Sequence, residues 1–468
     1  MLNPRFSRFT IVALVMGLFL VALGCSNAPK TTPMATANAQ FKIGDAPADS
    51  VLSLVVTITH VDLTQQGGGT ITVLDKPTKI ELTHLAGTVE SFVAANVPPG
   101  TYTAATISIS TVDVTYIPPG GTTPVVKTFT LNTTVTVRFN PPVTIVGKAP
   151  SVFSFDFNAA QSLTFDSAGN VTGINPVITV SVQAVSGDEP EDDEEHGEIE
   201  DMVGTISTVS PSSATMAASF DLTPESGSSA RTFTVNDKTV FEDGISQFAD
   251  LKTGMLVEVD AITQSDGSLL ATKVEMMEAN EGMEVDGLVT ATSGTPVTSV
   301  KLLVQDEAGS MSTDMVGKPV TVDISNAVFK SPLSNSSFSE LLRNLPFTPK
   351  FDNTTVAVGQ RIQVNSPVAS QMQSSFSATQ VKLQKQALSG TVGAAPMGSN
   401  ASFSLLLDAD SAFVKLTGVS SVNVYQGPGT QEMNPVAEGT KLRVRGLLFF
   451  DGTNYQLVAA RVARPESD

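Results

Sequence analysis

The sequence predicts an all-β protein: an N-terminal β-sandwich followed by three small β-barrel repeats. Three observations predict it. Apolar and polar residues alternate at period two, the period of a half-buried strand, as in Leu52, Leu54, Val56 and Ile58. Turn signals recur at short intervals, among them Pro98-Pro99-Gly100 and Pro118-Pro119-Gly120-Gly121. Between residues 202 and 464 a set of landmarks recurs three times in the same order.

Composition bounds the function. The chain has 468 residues, which predicts about three or four domains. Hydrophobic residues are 41% and charged residues 16%, enough apolar surface for several cores. There is no Trp, with 4 Tyr and 3 His, so an aromatic sugar cleft or a histidine-based active site lacks its usual parts. One Cys excludes an intramolecular disulfide framework and a Cys-cluster zinc site. A net charge of −19 argues against a nucleic-acid partner.

Residues 1–24 read as a signal peptide. Arg5 and Arg8 precede an apolar run over 11–23, and Gly24 and Cys25 follow. The run is shorter than the roughly 20 apolar residues of a spanning helix. Ala22-Leu23-Gly24-Cys25 resembles the bacterial lipobox, which makes Cys25 the lipidated first residue of the mature chain. Ser26, a residue other than Asp, implies sorting to the outer membrane by the same resemblance. Residues 25–40 are small, polar and Pro-containing and read as a flexible tether.

Segment 41–186 reads as the sandwich. The apolar phase shifts between Ile58 and Val61, which predicts a bulge near His60. Further strands are expected over 88–94, 101–116, 126–139, 151–157 and 177–185. Asn140-Pro141-Pro142 reads as a turn. Phe153, Phe155 and Phe157 share one strand face and are expected in the core, since Phe has no polar handle for a ligand.

Segment 187–201 carries ten carboxylates. It reads as a solvated acidic linker, with loose divalent-cation binding as the alternative. The barrel repeats follow at 202–278, 284–386 and 387–464. Each opens on a Gly among strand residues: Gly204, Gly287 and Gly390. Each has an aromatic after a middle strand, matched as Phe241, Phe329 and Tyr425. A second Gly then starts an alternating strand: Gly254, Gly359 and Gly439. The second unit carries an insertion in which residues 336–346 have the spacing of a short amphipathic helix. Each unit is large enough for its own core, so beads on a string are expected.

Two resemblances emerge from these residues. Phe41-Lys42-Ile43-Gly44-Asp45-Ala46-Pro47-Ala48-Asp49, the strand over 51–63 and Pro98-Pro99-Gly100-Thr101-Tyr102 resemble domain-of-unknown-function family 4382, over roughly 41–185. The repeats resemble domain-of-unknown-function family 5666. The first fits best, through Phe248-Ala249-Asp250-Leu251-Lys252-Thr253-Gly254 and Asp266-Gly267-Ser268-Leu269-Leu270-Ala271-Thr272-Lys273-Val274. These resemblances imply a modular envelope lipoprotein. They supply no catalytic residue and no cofactor.

The linear pattern holds no Ser/His/Asp elbow, no His pair at metal spacing and no phosphate-binding Gly loop. Asp45 and Asp49 flank Pro47 and are candidate cation ligands, or caps of an N-terminal turn. Lys441, Arg443 and Arg445 share a strand face, expected to be solvated. The expected function is non-enzymatic: a lipid-anchored cell-envelope protein of the outer membrane that binds or scaffolds an envelope protein or polymer. The alternatives are an envelope-polymer hydrolase with paired carboxylates and a weak divalent-cation binder. Metabolic labelling with a fatty-acid analogue is expected to mark the protein, and Cys25→Ser to abolish the label. Equal labelling of both forms would remove the anchor.

Overall fold

The computed structural model describes residues 37–46, 49–86, 89–146, 151–184, 198–213, 216–224, 230–264, 268–277, 281–308, 314–331, 345–367, 374–393, 402–432 and 434–465. Cys25, the signal segment and nearly all of the 336–346 insertion lie outside them.

Alternating strands in the N-terminal segment build two sheets. One contains β1 (Ala37–Ala46), with β5 (Val89–Val97) on one side and β8 (Ser151–Asn158) then β11 (Ile178–Ala184) on the other. The second contains β2 (Ser53–Gln65), paired with β3 (Thr70–Leu74), β4 (Thr78–Glu81) and β6 (Gly100–Tyr116), and β6 carries β7 (Val125–Ile145). A small ribbon of β9 (Leu163–Phe165) and β10 (Val171–Ile174) follows the short helix α1 (Ala159–Ser162). Both sheets point apolar side chains into one core. Phe153, Phe155 and Phe157 are all buried there, and Phe41 stacks on Phe153 with centroids 4.8 Å apart. The predicted bulge sits between Ile58 and His60. Tyr102 closes the corner before β6: its hydroxyl donates to Pro98 O at 2.7 Å.

Three boundaries differ from expectation. Residues 37–40 belong to β1, not to a tether, because Ala39 is needed in the core. Asn140-Pro141-Pro142 lies inside β7 rather than in a turn: the ladder resumes on both sides, and the prolines, which cannot donate, sit where the register jumps from Ala104↔Arg138 to Tyr102↔Val143. The acidic linker ends before residue 198, since Glu198 starts a strand and Ile199 is buried.

That strand, β12 (Glu198–Ser210), opens the first barrel. It is followed by β13 (Ser219–Pro224), β14 (Arg231–Thr234), β15 (Val240–Glu242), β16 (Leu256–Thr263) and β17 (Leu269–Met276). The pairs β12–β13, β13–β14, β14–β17, β17–β16 and β16–β12 close a ring in which β14 and β17 are parallel. This is the order of a five-stranded Greek-key barrel of the OB type. The second unit repeats it with β18 (Glu281–Ser293), β19 (Ser299–Ala308), β20 (Pro319–Asp323), β21 (Val328–Lys330) and β22 (Arg361–Pro367). Its last strand is split into β23 (Ser375–Ser377) and β24 (Gln380–Leu383). The third forms a closed barrel of β25 (Lys385–Val392), β26 (Ser402–Leu407), β27 (Ser421–Glu432), β28 (Lys441–Phe450) and β29 (Tyr455–Ala463), with helix α2 (Ala412–Thr417) between β26 and β27.

The glycine landmarks occupy equivalent places. Gly254, Gly359 and Gly439 have φ of +89°, +88° and +81°, a region that favours glycine. Their amides donate to Ile206 O, Val289 O and Val392 O, each at 2.8 Å, which locks the start of the fourth strand to the first. Gly204, Gly287 and Gly390 sit where the first strand is hugged by the second. A Cβ would lie 2.6 Å from Thr223 O at Gly204 and 2.5 Å from Leu406 O at Gly390, and no farther from Leu303 O at Gly287. The aromatic landmark holds for two units only. Phe241 and Phe329 pair with Val274 and Val381, but the residue that pairs with the equivalent Val462 is Glu432; Tyr425 lies earlier, opposite Val458.

Beads on a string are overturned. The first barrel has its own apolar core, but that of the second includes Leu447, Phe449 and Val458 of the third. Gln360 Nε2 donates to Leu448 O at 2.8 Å, and Tyr455 Oη to Val358 O at 2.5 Å. Leu52 and Ile117 of the sandwich pack with Leu303 and Ala412 of the second and third barrels. A bridge between Ile199 and Val89 joins the first barrel to the sandwich. Gly390→Ala, which drives a methyl into a backbone carbonyl, is expected to destabilise the chain by about 1–3 kcal/mol, read from its denaturant midpoint.

Candidate functional site

The sandwich and the second and third barrels meet around a cavity of about 110 Å³. Thr83, His84 and Asp49 face it from the sandwich, Gln305 and Arg361 from the second barrel, and Gln386, Ser389 and Ser411 from the third. Leu388, Leu407, Phe413 and Leu416 supply apolar wall. α2 is placed here by its caps: Ser411 accepts from Val414 N at 3.2 Å, and Gly418 closes the helix at φ +74°. The amide of Ala412 then donates to Asp49 O at 2.5 Å, tying the third barrel to the sandwich.

The charged walls are held by internal partners. Glu81, at the end of β4 and 1% exposed, accepts from Leu54 N at 2.8 Å, Thr83 Oγ1 at 2.7 Å and His84 N at 3.1 Å, and lies 3.0 Å from His84 Nδ1. Burial opposes its charge, but the His84 ring, the Leu54 amide and the Thr83 hydroxyl hold the carboxyl below its ordinary value. Because Thr83 spends its hydrogen on Glu81, it accepts from Gln305 Nε2 at 3.3 Å, a link from the second barrel. Arg361 lies 3.7 Å from Asp286 and donates to Lys385 O at 3.3 Å. Asp49 is pushed up by burial, against the opposing pull of Arg443, Ser389 and Lys441.

A second polar cluster lies between the first and second barrels. Lys273 Nζ reaches Glu258 at 2.7 Å, Glu275 at 3.2 Å and Asp260 at 3.6 Å. From the second barrel, Lys382 pairs with Glu275, and Gln363 Nε2 donates to Glu258 Oε2 at 3.0 Å. Lys330 pairs with Asp243 across the same boundary.

The structure gathers some of the predicted residues and not others. Asp49 enters the cavity wall, but its surroundings include Arg443 and Lys441, with which a bound cation would compete. Asp45 lies on β1, and its side chain is outside the described ones. Among the described residues no group of three or more His, Cys, Asp or Glu is placed to hold a metal. The face of Lys441, Arg443 and Arg445 is not solvated as expected: Arg443 and Arg445 are buried, because neighbouring modules cover that strand, and only Lys441 is exposed. His60 is exposed on β2, away from His84. His196 lies outside the described residues.

Sequence reasoning missed Glu81, Glu258, Glu284 and Lys382, since a charge at alternate strand positions reads as solvent-facing. A signal was present. Four residues after each left-handed Gly stand Glu258, Gln363 and Arg443, an acid, an amide and a base at one structural position.

Comparison with known proteins agrees with the two resemblances. Residues 36–172 match the family described as a domain of unknown function, DUF4382, and 203–275 match a second such family, DUF5666. No curated protein matches the chain. Among solved structures, "drosophila Unr CSD456" is similar at 10% identity and TM-score 0.14, covering 56% of this chain and 96% of its own. The single-stranded DNA binding protein from Thermus aquaticus is similar at 14% identity and TM-score 0.16, covering 40% of this chain and 93% of its own. TM-scores this low carry no argument about partner or fold.

Glu81→Ala, which strands the donors around a buried carboxylate, is expected to cost about 3–5 kcal/mol. The folded value of Glu81 lies below its unfolded one. Its contribution is therefore complete above the ordinary carboxylate range and is lost as pH falls through the folded value. Glu81→Gln is expected to flatten the acid side of the stability curve, measured by denaturant unfolding from about pH 5 downward.

Proposed function

We propose that the chain is a cell-envelope lipoprotein, held at the outer membrane through Cys25, with a non-catalytic binding or scaffolding role toward an envelope protein or polymer. The observation that carries the non-catalytic reading is the mutual neutralisation of charged side chains at the module boundaries, within one module for His84 and Arg361 and across two for Lys382. His84 is engaged by Glu81, Arg361 by Asp286 and Lys382 by Glu275. Such groups hold modules in register instead of standing ready for a substrate. A glycosidase-type site needs two carboxylates facing each other across an open cleft. The buried carboxylates Glu258 and Glu275 are instead paired with Lys273 and Lys382 at the boundary between two barrels.

The anchor reading rests on the order of basic, apolar, Gly and Cys residues in 5–25. Residues 26–36 separate Cys25 from the start of β1, a span of about 40 Å at most when extended. A lipidated Cys25 would keep the sandwich close to the bilayer and project the barrels beyond it.

Affinity capture from detergent-solubilised envelopes, with the anchored protein as bait, tests this reading. A defined envelope protein or polymer should be enriched over a Cys25→Ser bait expressed at equal level. Equal recovery with both baits, or release of soluble fragments from purified envelope polymer by the chain, would sink it.

A further inference from the structure

The cavity between the sandwich and the second and third barrels keeps polar groups that the joints do not use. Gln305 on β19 lines it and is 6% exposed, and its Oε1 has no hydrogen-bond partner among the described residues. The amide's orientation follows from its neighbour. Thr83 Oγ1 gives its one hydrogen to Glu81, so Gln305 turns Nε2 toward Thr83, at 3.3 Å, and its oxygen away. A buried acceptor left without a donor is costly, and a ligand that supplies the donor recovers that cost.

His84 stands beside it in the wall. Glu81 takes donors from Leu54 N, Thr83 N, Thr83 Oγ1 and His84 N, and so is a carboxylate. The imidazole therefore presents Nδ1–H to it, at 3.0 Å. Among the described residues the ring bonds through Nδ1 alone, which leaves Nε2 for a ligand. Ser411 Oγ accepts from Val414 N at the cap of α2, and among the described residues its own hydrogen has no acceptor. The opposite wall is apolar, from Leu388, Leu407, Phe413 and Leu416.

Charge and size narrow the ligand. Arg361 is taken by Asp286, and Arg443 and Lys441 beside Asp49 disfavour a cation. Asp49, and Glu81 behind His84, disfavour an anion. A dry cavity of roughly 150 Å³ holds a benzene ring, so the 110 Å³ here admits a molecule of about four or five heavy atoms.

We propose that this cavity binds a small neutral diol, its hydroxyls on Gln305, His84 and Ser411 and its carbon end against Leu388, Leu407, Phe413 and Leu416. A hydroxyl both gives and takes a hydrogen bond. One diol therefore serves the acceptor Gln305, the donor Ser411 and His84 Nε2 in either protonation state. The site is too small for a polymer or a protein segment, so this ligand is distinct from the envelope partner proposed above. Because three modules supply the walls, binding and docking are linked: the diol stabilises the assembled chain by mass action. So few atoms limit the affinity to about micromolar at best.

The test uses the full chain with Cys25→Ser, so that its failure leaves the anchor reading untouched. The probes are 1,2-propanediol, butanone, butylamine and propionate, matched in heavy-atom number and differing in donors and charge. Titration by saturation-transfer NMR near neutral pH should show 1,2-propanediol binding about tenfold more tightly than the others. Gln305→Met, which keeps the length and removes the acceptor, should weaken it about tenfold. Leu416→Trp, which fills the cavity from a half-buried position on α2, should abolish it. No binding of the diol, equal or tighter binding of butanone, butylamine or propionate, or diol binding unchanged in Leu416→Trp would each overturn the site. Should Gln305→Met fail to fold, Leu416→Trp and the probe series still decide it.

Discussion

Lys382 reaches out of the second barrel to Glu275 of the first, and Gln363 beside it donates to Glu258. Both contacts are buried, and a charge taken out of water is costly unless it is paired. That constraint governs how the modules sit. Neither barrel can turn or slide against the other without breaking the pair of Lys382 with Glu275 and the hydrogen bond from Gln363 to Glu258. The same rule applies at the junction with the sandwich, where Glu81 is kept ionised by His84 and by backbone amides, and where Gln305 crosses from the second barrel to Thr83.

Beneath this layer lies a barrel frame indifferent to surface charge. One glycine lets the second strand press on the first, and another, at positive φ, turns the chain into the fourth strand. The amide of the second glycine makes the same hydrogen bond in all three units. With the frame held by backbone, the outward face of the fourth strand is free to vary. Glu258, Gln363 and Arg443 occupy that place in turn. Repetition supplies the fold, and divergence at this position lets Gln363 of the second copy donate to Glu258 of the first while Arg443 of the third lies near Asp49 of the sandwich.

The sandwich is joined to this assembly on two fronts. Ile199 bridges to Val89 and carries the first barrel's opening strand onto the sheet of β1. On the other front α2 caps onto Asp49, and Leu52 and Ile117 pack with Leu303 and Ala412. The cavity lies where these surfaces fail to close completely. Its charged lining belongs to the joints, which accounts for side chains of three modules around so small a space.

Much of the fold was legible in the sequence because it depends on local chemistry. Alternation marked β2, β6, β8 and β11; the phase shift at His60 marked a bulge; the glycines marked three equivalent turns. Phe153, Phe155 and Phe157 were readable as core because nothing in them needs water. The aromatic landmark of the third unit was misplaced, since register depends on pairing partners remote in sequence. Of the cavity lining, Asp49 alone was legible as a candidate. A Glu on an alternating strand looks solvent-facing whether water or another barrel covers it. By itself the sequence determined strand identity, the repeat and the single lipidation candidate Cys25, for these rest on periodicity, glycine geometry and the order of neighbouring residues. Only the tertiary structure decided which charged faces are buried and which charges meet across a boundary, because desolvation depends on what lies opposite, and that neighbour can be a hundred residues away.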